Sequence, residues 1–224
     1  MNTAATPSAP TRLRIDFVSD VSCPWCAIGL HALEQALDRV SPDIEAEIHL
    51  QPFELNPQMV AEKKNTLEHL GRKYGRSPDE LRATQDMIRQ RGAALGFEFR
   101  PGARSRIYNT FDAHRLLAWA ETVGAPGAAL QLKHALLSAY FTEGLNPGAH
   151  EVLLDKARAA GLDGDGAVQV LASDTYADEV REREQFYLQH GIRSVPAIII
   201  NEQHLISGGQ PVEVFEQALR QLAA

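Results

Sequence analysis

The feature that most restricts how this chain can fold is the position of its two cysteines. Cys23 and Cys26, in Ser22-Cys23-Pro24-Trp25-Cys26, sit where a strand pattern gives way to a helix pattern. Residues 12–18 (RLRIDFV) alternate polar and apolar side chains, the period of a half-buried strand. Residues 24–40 carry Ile28, Leu30, Leu33, Leu37 and Val40 at helical spacing. Pro24 falls in the first turn, where its missing N–H costs nothing. Residues 44–53 (IEAEIHLQPF) alternate again. The chain therefore opens β-α-β with CPWC at the head of the helix.

From residue 56 to about 161 the pattern is mostly helical. Helices are predicted over 67–74, over 77–95 with Ser77 as cap and Pro78 at its first position, from an Asn109 cap to 123, over 128–141 and over 150–160. The face Leu116, Leu117, Trp119, Ala120 reads as core. The Gly/Asp run 161–166 reads as a loop and a candidate boundary of this block. A further helix over 178–190 precedes a turn at 191–194, a strand at 196–201 (PAIIIN), a hairpin at 201–203 into 204–207, a Gly208-Gly209 break and a final amphipathic helix over 211–222. The order is β-α-β, a helical block, then α-β-β-α. The expected division is a disordered tail at 1–11, a first part at 12–55, the helical insertion at 56–175 and a second part at 176–224.

Composition limits the function. The net charge is −7 and no Lys/Arg run exceeds two residues, which argues against a nucleic-acid or anionic-membrane partner. No window has the ~18 apolar residues of a membrane span. The first ten residues lack the apolar core of a secretory signal, so the expected location is cytoplasmic.

A structural disulfide framework uses more cysteines at longer spacings. A bridge across this short loop gains little chain entropy, so the pair reads as reactive. Positive potential at a helix N-terminus favours a thiolate, which makes Cys23 the nucleophile with a lowered pKa. Cys26, one turn further in, is placed to resolve a mixed disulfide. The alternative of a zinc half-site needs two more ligands. No other cysteine exists, and the eight histidines show no partner pair, so no metal is expected. Ser194-Val195-Pro196 lies directly before the strand AIII, leaving the Val195 backbone N–H and C=O to pair with a bound peptide. An X-Pro bond is cis in only about 5–6% of cases, so the base rate alone favours trans.

The strings IDFVSDVSCPWCAIGLHALEQAL, FELNP, NTFDAHRLLAWA and SVPAIIINEQHLISGGQP together resemble the FrnE-type branch of DsbA-like oxidoreductases, across residues 12–222. The resemblance implies an α/β, thioredoxin-like fold with an inserted all-helical domain. It also implies a cis Pro196 packed beside Cys23, and kinship with 2-hydroxychromene-2-carboxylate isomerases and kappa-class glutathione transferases. The activity it implies is thiol–disulfide exchange with protein thiols and disulfides or small-molecule thiols, without a bound organic cofactor. The redox centre is then the Cys23–Cys26 disulfide itself.

Around that centre, Pro24, Trp25, Val195 and Pro196 are candidates for substrate contact. His114 either faces the site or is a hydrogen-bonded core histidine. Phe53, with Leu55 and Asn56, either lines the cleft or packs a strand end. Tyr108 and Arg106 are weaker candidates. Three rival readings remain: a glutathione-dependent isomerase or transferase on a small aromatic or polyketide-like substrate, with Ser22 or Cys23 activating the glutathione cosubstrate; a non-catalytic binding module; and a zinc-holding protein. The sequence leaves the physiological substrate, the redox direction and the oligomeric state open.

Overall fold

The computed structural model describes residues 9–59 and 64–223. In chain order the elements are β1 (Thr11–Ser19), α1 (Pro24–Val40), β2 (Ile44–Pro52), β3 (Lys64–Asn65), α2 (Thr66–Tyr74), α3 (Pro78–Ala94), β4 (Arg106–Ile107), α4 (Phe111–Val123), α5 (Ala128–Ser138), a π-helical turn (Ala139–Glu143), α6 (His150–Ala159), α7 (Gly164–Leu171), α8 (Ala177–Gln189), β5 (Ala197–Ile200), β6 (His204–Ser207) and α9 (Val212–Ala223).

The main sheet has the order β2-β1-β5-β6. β1 runs parallel to β2, with Ile15 opposite Ile48 and Phe17 opposite Leu50. It runs antiparallel to β5, with Phe17 opposite Ile198. A parallel neighbour requires a crossover, and α1 supplies it. The apolar stripe of α1 buries Ile28, Leu30, Leu33, Ala36 and Val40. α9 packs on α1 and the sheet with Phe215 and Leu219 fully buried. α4 and α5 of the helical block touch β2, as does α8 of the second part, so the block lies against the strand next to β1. CPWC therefore lies at the end of the central strand, between the sheet and the block.

Several expectations are corrected. The tail expected over 1–11 lies outside the described residues as far as residue 8. Its last member, Thr11, belongs to β1, with its N–H donating to the Asp43 carbonyl at 3.0 Å. The inserted block is helical as expected and also holds one two-residue antiparallel pair, β3 with β4. The run 161–166 is not simply a loop: α7 starts at Gly164. Asp163 caps it, its carboxylate accepting from the N–H groups of Asp165 and Gly166 at 3.3 and 3.0 Å. A Cβ on Gly166 would lie 2.7 Å from the Trp119 ring, so this glycine permits close packing on α4. The helix expected over 128–141 ends its α-helical part at Ser138. Asn109 caps α4 from one position before the N-cap, its Oδ1 accepting from the Phe111 N–H at 2.9 Å.

Candidate active site

Asp20 organises the turn between β1 and α1. Its Oδ1 accepts from the Ser22 N–H at 3.0 Å, its Oδ2 from the Leu55 N–H at 2.7 Å, and its carbonyl from the Cys23 N–H at 3.2 Å. The segment after β2 is thereby tied to the approach to CPWC. Cys23 occupies the N-cap of α1 in extended backbone, and no side chain caps the helix there. Pro24 begins the helix, and the Cys23 carbonyl accepts from the N–H groups of Cys26 and Ala27 at 3.1 and 3.3 Å. The unpaired donors of the first turn leave positive potential at the cysteine end.

Both cysteines are free thiols and both are buried, Cys23 at 3% exposure and Cys26 at 0%. Their acidities move apart. The Cys26 thiol's hydrogen bond pulls Cys23 below the ordinary thiol value, aided by the Cys26 backbone N–H and the Arg104 charge, and outweighs burial and the Asp20 carboxylate. Burial pushes Cys26 well up, and the neighbouring Cys23 adds to that.

The Cys23 thiol lies 3.6 Å from the Val195 carbonyl oxygen, and the Val195–Pro196 peptide bond is cis. Two glycines allow this packing. A Cβ on Gly29 would stand 3.0 Å from Pro196 Cγ, and one on Gly209 would stand 2.8 Å from the Trp25 carbonyl oxygen and 3.3 Å from the Gly29 nitrogen. Gly209→Ala should therefore force the first turn of α1 away from the Gly208-Gly209 segment. It is expected to destabilise the protein by about 1–3 kcal/mol, the usual cost of overpacking, read as a lower urea midpoint with unchanged slope.

The other sequence candidates divide. Phe53 is buried beside Val18, Tyr187, Ile192 and Ala197, in a small apolar cluster against which Val195 packs, so it supports the Val195–Pro196 segment from behind. Trp25 is half-buried, with the Arg91 guanidinium 5.2 Å from its ring centroid. Arg91 also donates to the Gly209 carbonyl at 2.7 Å. His114 is buried with its Nε2 3.7 Å from Asp20 Oδ1, an ion-pair distance longer than a hydrogen bond. It thus reaches the Asp20 turn. Burial pushes the Asp20 carboxyl up, but His114 and the Leu55 and Ser22 N–H groups outweigh burial and hold it below its usual range. Tyr108 packs on Tyr140 at 6.1 Å, and Asn56 bonds to His69 at 2.9 Å.

Sequence reasoning missed Asp20, Lys133 and Arg104. Lys133, on α5, is 1% exposed and feels the charges of Cys26, Asp20 and Cys23. Burial dominates and lowers its pKa. Its only sequence cue is a charge amid Leu132, Leu136 and Leu137. Arg104 lines a cavity of about 240 Å³ beside Pro24, with Arg89, Arg100, Thr66, Phe99 and Phe141 also on its walls. Arg104 Nε and Thr66 Oγ1 are buried without a hydrogen-bond partner among the described residues.

The family model for a DSBA-like thioredoxin domain matches residues 14–220. The chain belongs to the DsbA-like thioredoxin family. This DsbA-like protein is 34% identical to a probable DsbA oxidoreductase from Streptomyces coelicolor, whose crystal structure superposes with a TM-score of 0.83 over 93% of this chain and 89% of that one. It is 27% identical over 209 residues to the uncharacterized Bacillus subtilis (strain 168) protein YwbO, covering 92% and 96% of the two chains. The cytosolic disulfide reductase DsbM from Pseudomonas aeruginosa, solved with GSH, shares the fold at a TM-score of 0.66 and 16% identity, over 94% of this chain and 100% of that one. Among the described residues of the DsbA-like chain, no helix is long and apolar enough to cross a membrane.

Proposed function

We propose that the protein is a thiol–disulfide oxidoreductase or isomerase of the FrnE-type branch, working through Cys23 and Cys26. The observation that carries this reading is geometric: Cys23 sits at the N-cap of α1 with Cys26 one turn further in, and its thiol lies 3.6 Å from the Val195 carbonyl oxygen beside the cis Val195–Pro196 bond, an arrangement that agrees with the opposed displacement of the two thiol acidities. A thiol made acidic is a nucleophile at lower pH, and one made less acidic is held back until the first has reacted. In the proposed cycle the Cys23 thiolate attacks a substrate disulfide, and the leaving sulfur departs as a thiolate. Cys26 then gives up its proton and attacks Cys23 Sγ. The substrate's second sulfur is released as a thiolate, with the Cys23–Cys26 disulfide formed. Two electrons have passed from the protein to the substrate, and the reverse sequence oxidises a dithiol. In this reading Val195 and Pro196 orient the partner against Cys23, a role supported by the 3.6 Å approach of the Val195 carbonyl oxygen to the Cys23 thiol. In a reducing cytoplasmic setting, as in the name of DsbM, the pair would rest as a dithiol.

The test is exchange with insulin and with a glutathione mixed disulfide. The reading expects turnover by the reduced protein and its loss in Cys23→Ser. Absence of exchange with either disulfide would replace it with the binding-module reading.

A second reading is favoured by the arginine-walled cavity beside Pro24: a glutathione-dependent isomerase or transferase, the carboxylates of glutathione held by the guanidinium groups. DsbM's structure with GSH lends it support. Glutathione-dependent turnover of a small aromatic substrate that survives Cys26→Ser would select this reading.

A further inference from the structure

Further along α1 from the cysteines, that helix and α5 bring together three ligand-type side chains that the proposed chemistry leaves unused. His31 and Glu34 stand three residues apart on α1, and His134 faces them from α5, with one ligand atom from each lying within 4.8 Å of the others. The sequence shows no such pairing, because Glu34 and His134 are 100 residues apart. We propose that His31, Glu34 and His134 form a binding site for a divalent transition-metal ion of the zinc class, which ties α1 to the helical block.

The donor set suits that ion. Zinc accepts two histidines and one carboxylate, with donor distances of about 2.0–2.2 Å, and leaves a further position for water. His31 Nδ1 lies 2.9 Å from the Ala27 carbonyl oxygen. A carbonyl can only accept, so the proton is on Nδ1 and Nε2 keeps its lone pair. Metal-bound histidines are held in this way by a backbone carbonyl. His134 Nε2 and Glu34 Oε1 are 2.7 Å apart, and both side chains are about 30% exposed, open enough for an ion to reach. The His31 and His134 rings meet edge-on at 4.9 Å, and Phe97 packs on His31 at 4.9 Å, which fixes the ring on one side.

The surroundings support the same sign of charge. The groove that contains His31 and Glu34 is also lined by Asp38, Glu47, His49 and Glu121, the last paired to Arg183 at 3.4 Å, and among the described residues no lysine or arginine stands on its walls. Such a groove concentrates cations at its walls.

A pair of thiolates is itself a ligand type for zinc, so the test separates the two sites. Zinc chloride is titrated calorimetrically into tag-free full-length protein carrying Cys23→Ser and Cys26→Ser. The proposal expects one zinc per chain and a raised Tm. His31→Ala and His134→Ala, added singly, should each weaken binding by at least ~100-fold, as loss of a ligand should exceed the loss of an outer-shell partner. His49→Ala, in the same groove, should leave affinity within about twofold. NMR of the histidine ring protons needs no ligand variant, and zinc should move two of the rings selectively. Loss of all binding with the two cysteines would overturn the proposal, as would undiminished affinity in natively folded His31→Ala or His134→Ala. Zinc that moves no histidine resonance would overturn it equally.

Discussion

Cys23→Ser is expected to abolish thiol–disulfide exchange, a loss on the order of 10³-fold or more, because the nucleophile has no substitute. Cys26 is fully buried and its thiol is held well above its ordinary pKa, so it cannot take over the attack. The reciprocal change, Cys26→Ser, leaves the first step intact and removes the second. Cys23 should then accumulate as a mixed disulfide with whatever it attacks, and mass spectrometry of the captured partner names the substrate. If Cys23→Ser captures partners and Cys26→Ser does not, the two roles are reversed.

Asp20→Asn should have the next largest effect, on stability and on the thiol together. The Asp20 carboxylate accepts from two backbone N–H groups at 1% exposure. An asparagine amide can serve only one of them and turns an N–H donor toward the other. Leaving a buried donor without its acceptor costs about 2 kcal/mol. The pH dependence follows from the lowered Asp20 pKa. A carboxyl whose folded pKa lies below its unfolded value, about 3.9, stabilises the fold fully above that value, and the contribution is lost as pH falls through the folded pKa. The stability gap between wild type and Asp20→Asn should be level above about pH 5 and shrink below about pH 4. Asp20 also raises the Cys23 pKa. Removing its charge should make Cys23 more acidic, stabilise the reduced pair and shift the protein toward stronger oxidation. Chemical denaturation across pH measures the first effect, and a glutathione redox titration measures the second.

The parts of this molecule that sequence made legible are those written in local periods. The alternation before CPWC and the 3.6-residue stripe after it became β1 and α1 because their neighbours are set by adjacent residues. What escaped was set at a distance. α7 was hidden because Gly164 and Gly166 look like breakers, whereas Gly166 is needed to admit the Trp119 ring. β3 and β4 are two residues each, too short to carry a period. In the site, CPWC and the Val195–Pro196 segment could be read from motif and resemblance. The reach of His114 to Asp20, and of Lys133 and Arg104 to the thiols, depends on how α4, α5 and the approach to β4 dock on β2 and α1. The sequence allows Phe53 either a cleft or a packing role, and the fold places it in the cluster behind Val195. The pairing of His31 with His134 likewise exists only after α5 has packed.

The most direct measurement is titration of the two thiols in the reduced protein, followed by thiolate absorbance and by the rate of alkylation at Cys23. The account predicts that Cys23 titrates first, below the ordinary thiol value of about 8.5, with Cys26 above it. A Cys23 pKa at or above the ordinary value, or a Cys26 that ionises before it, would contradict the account.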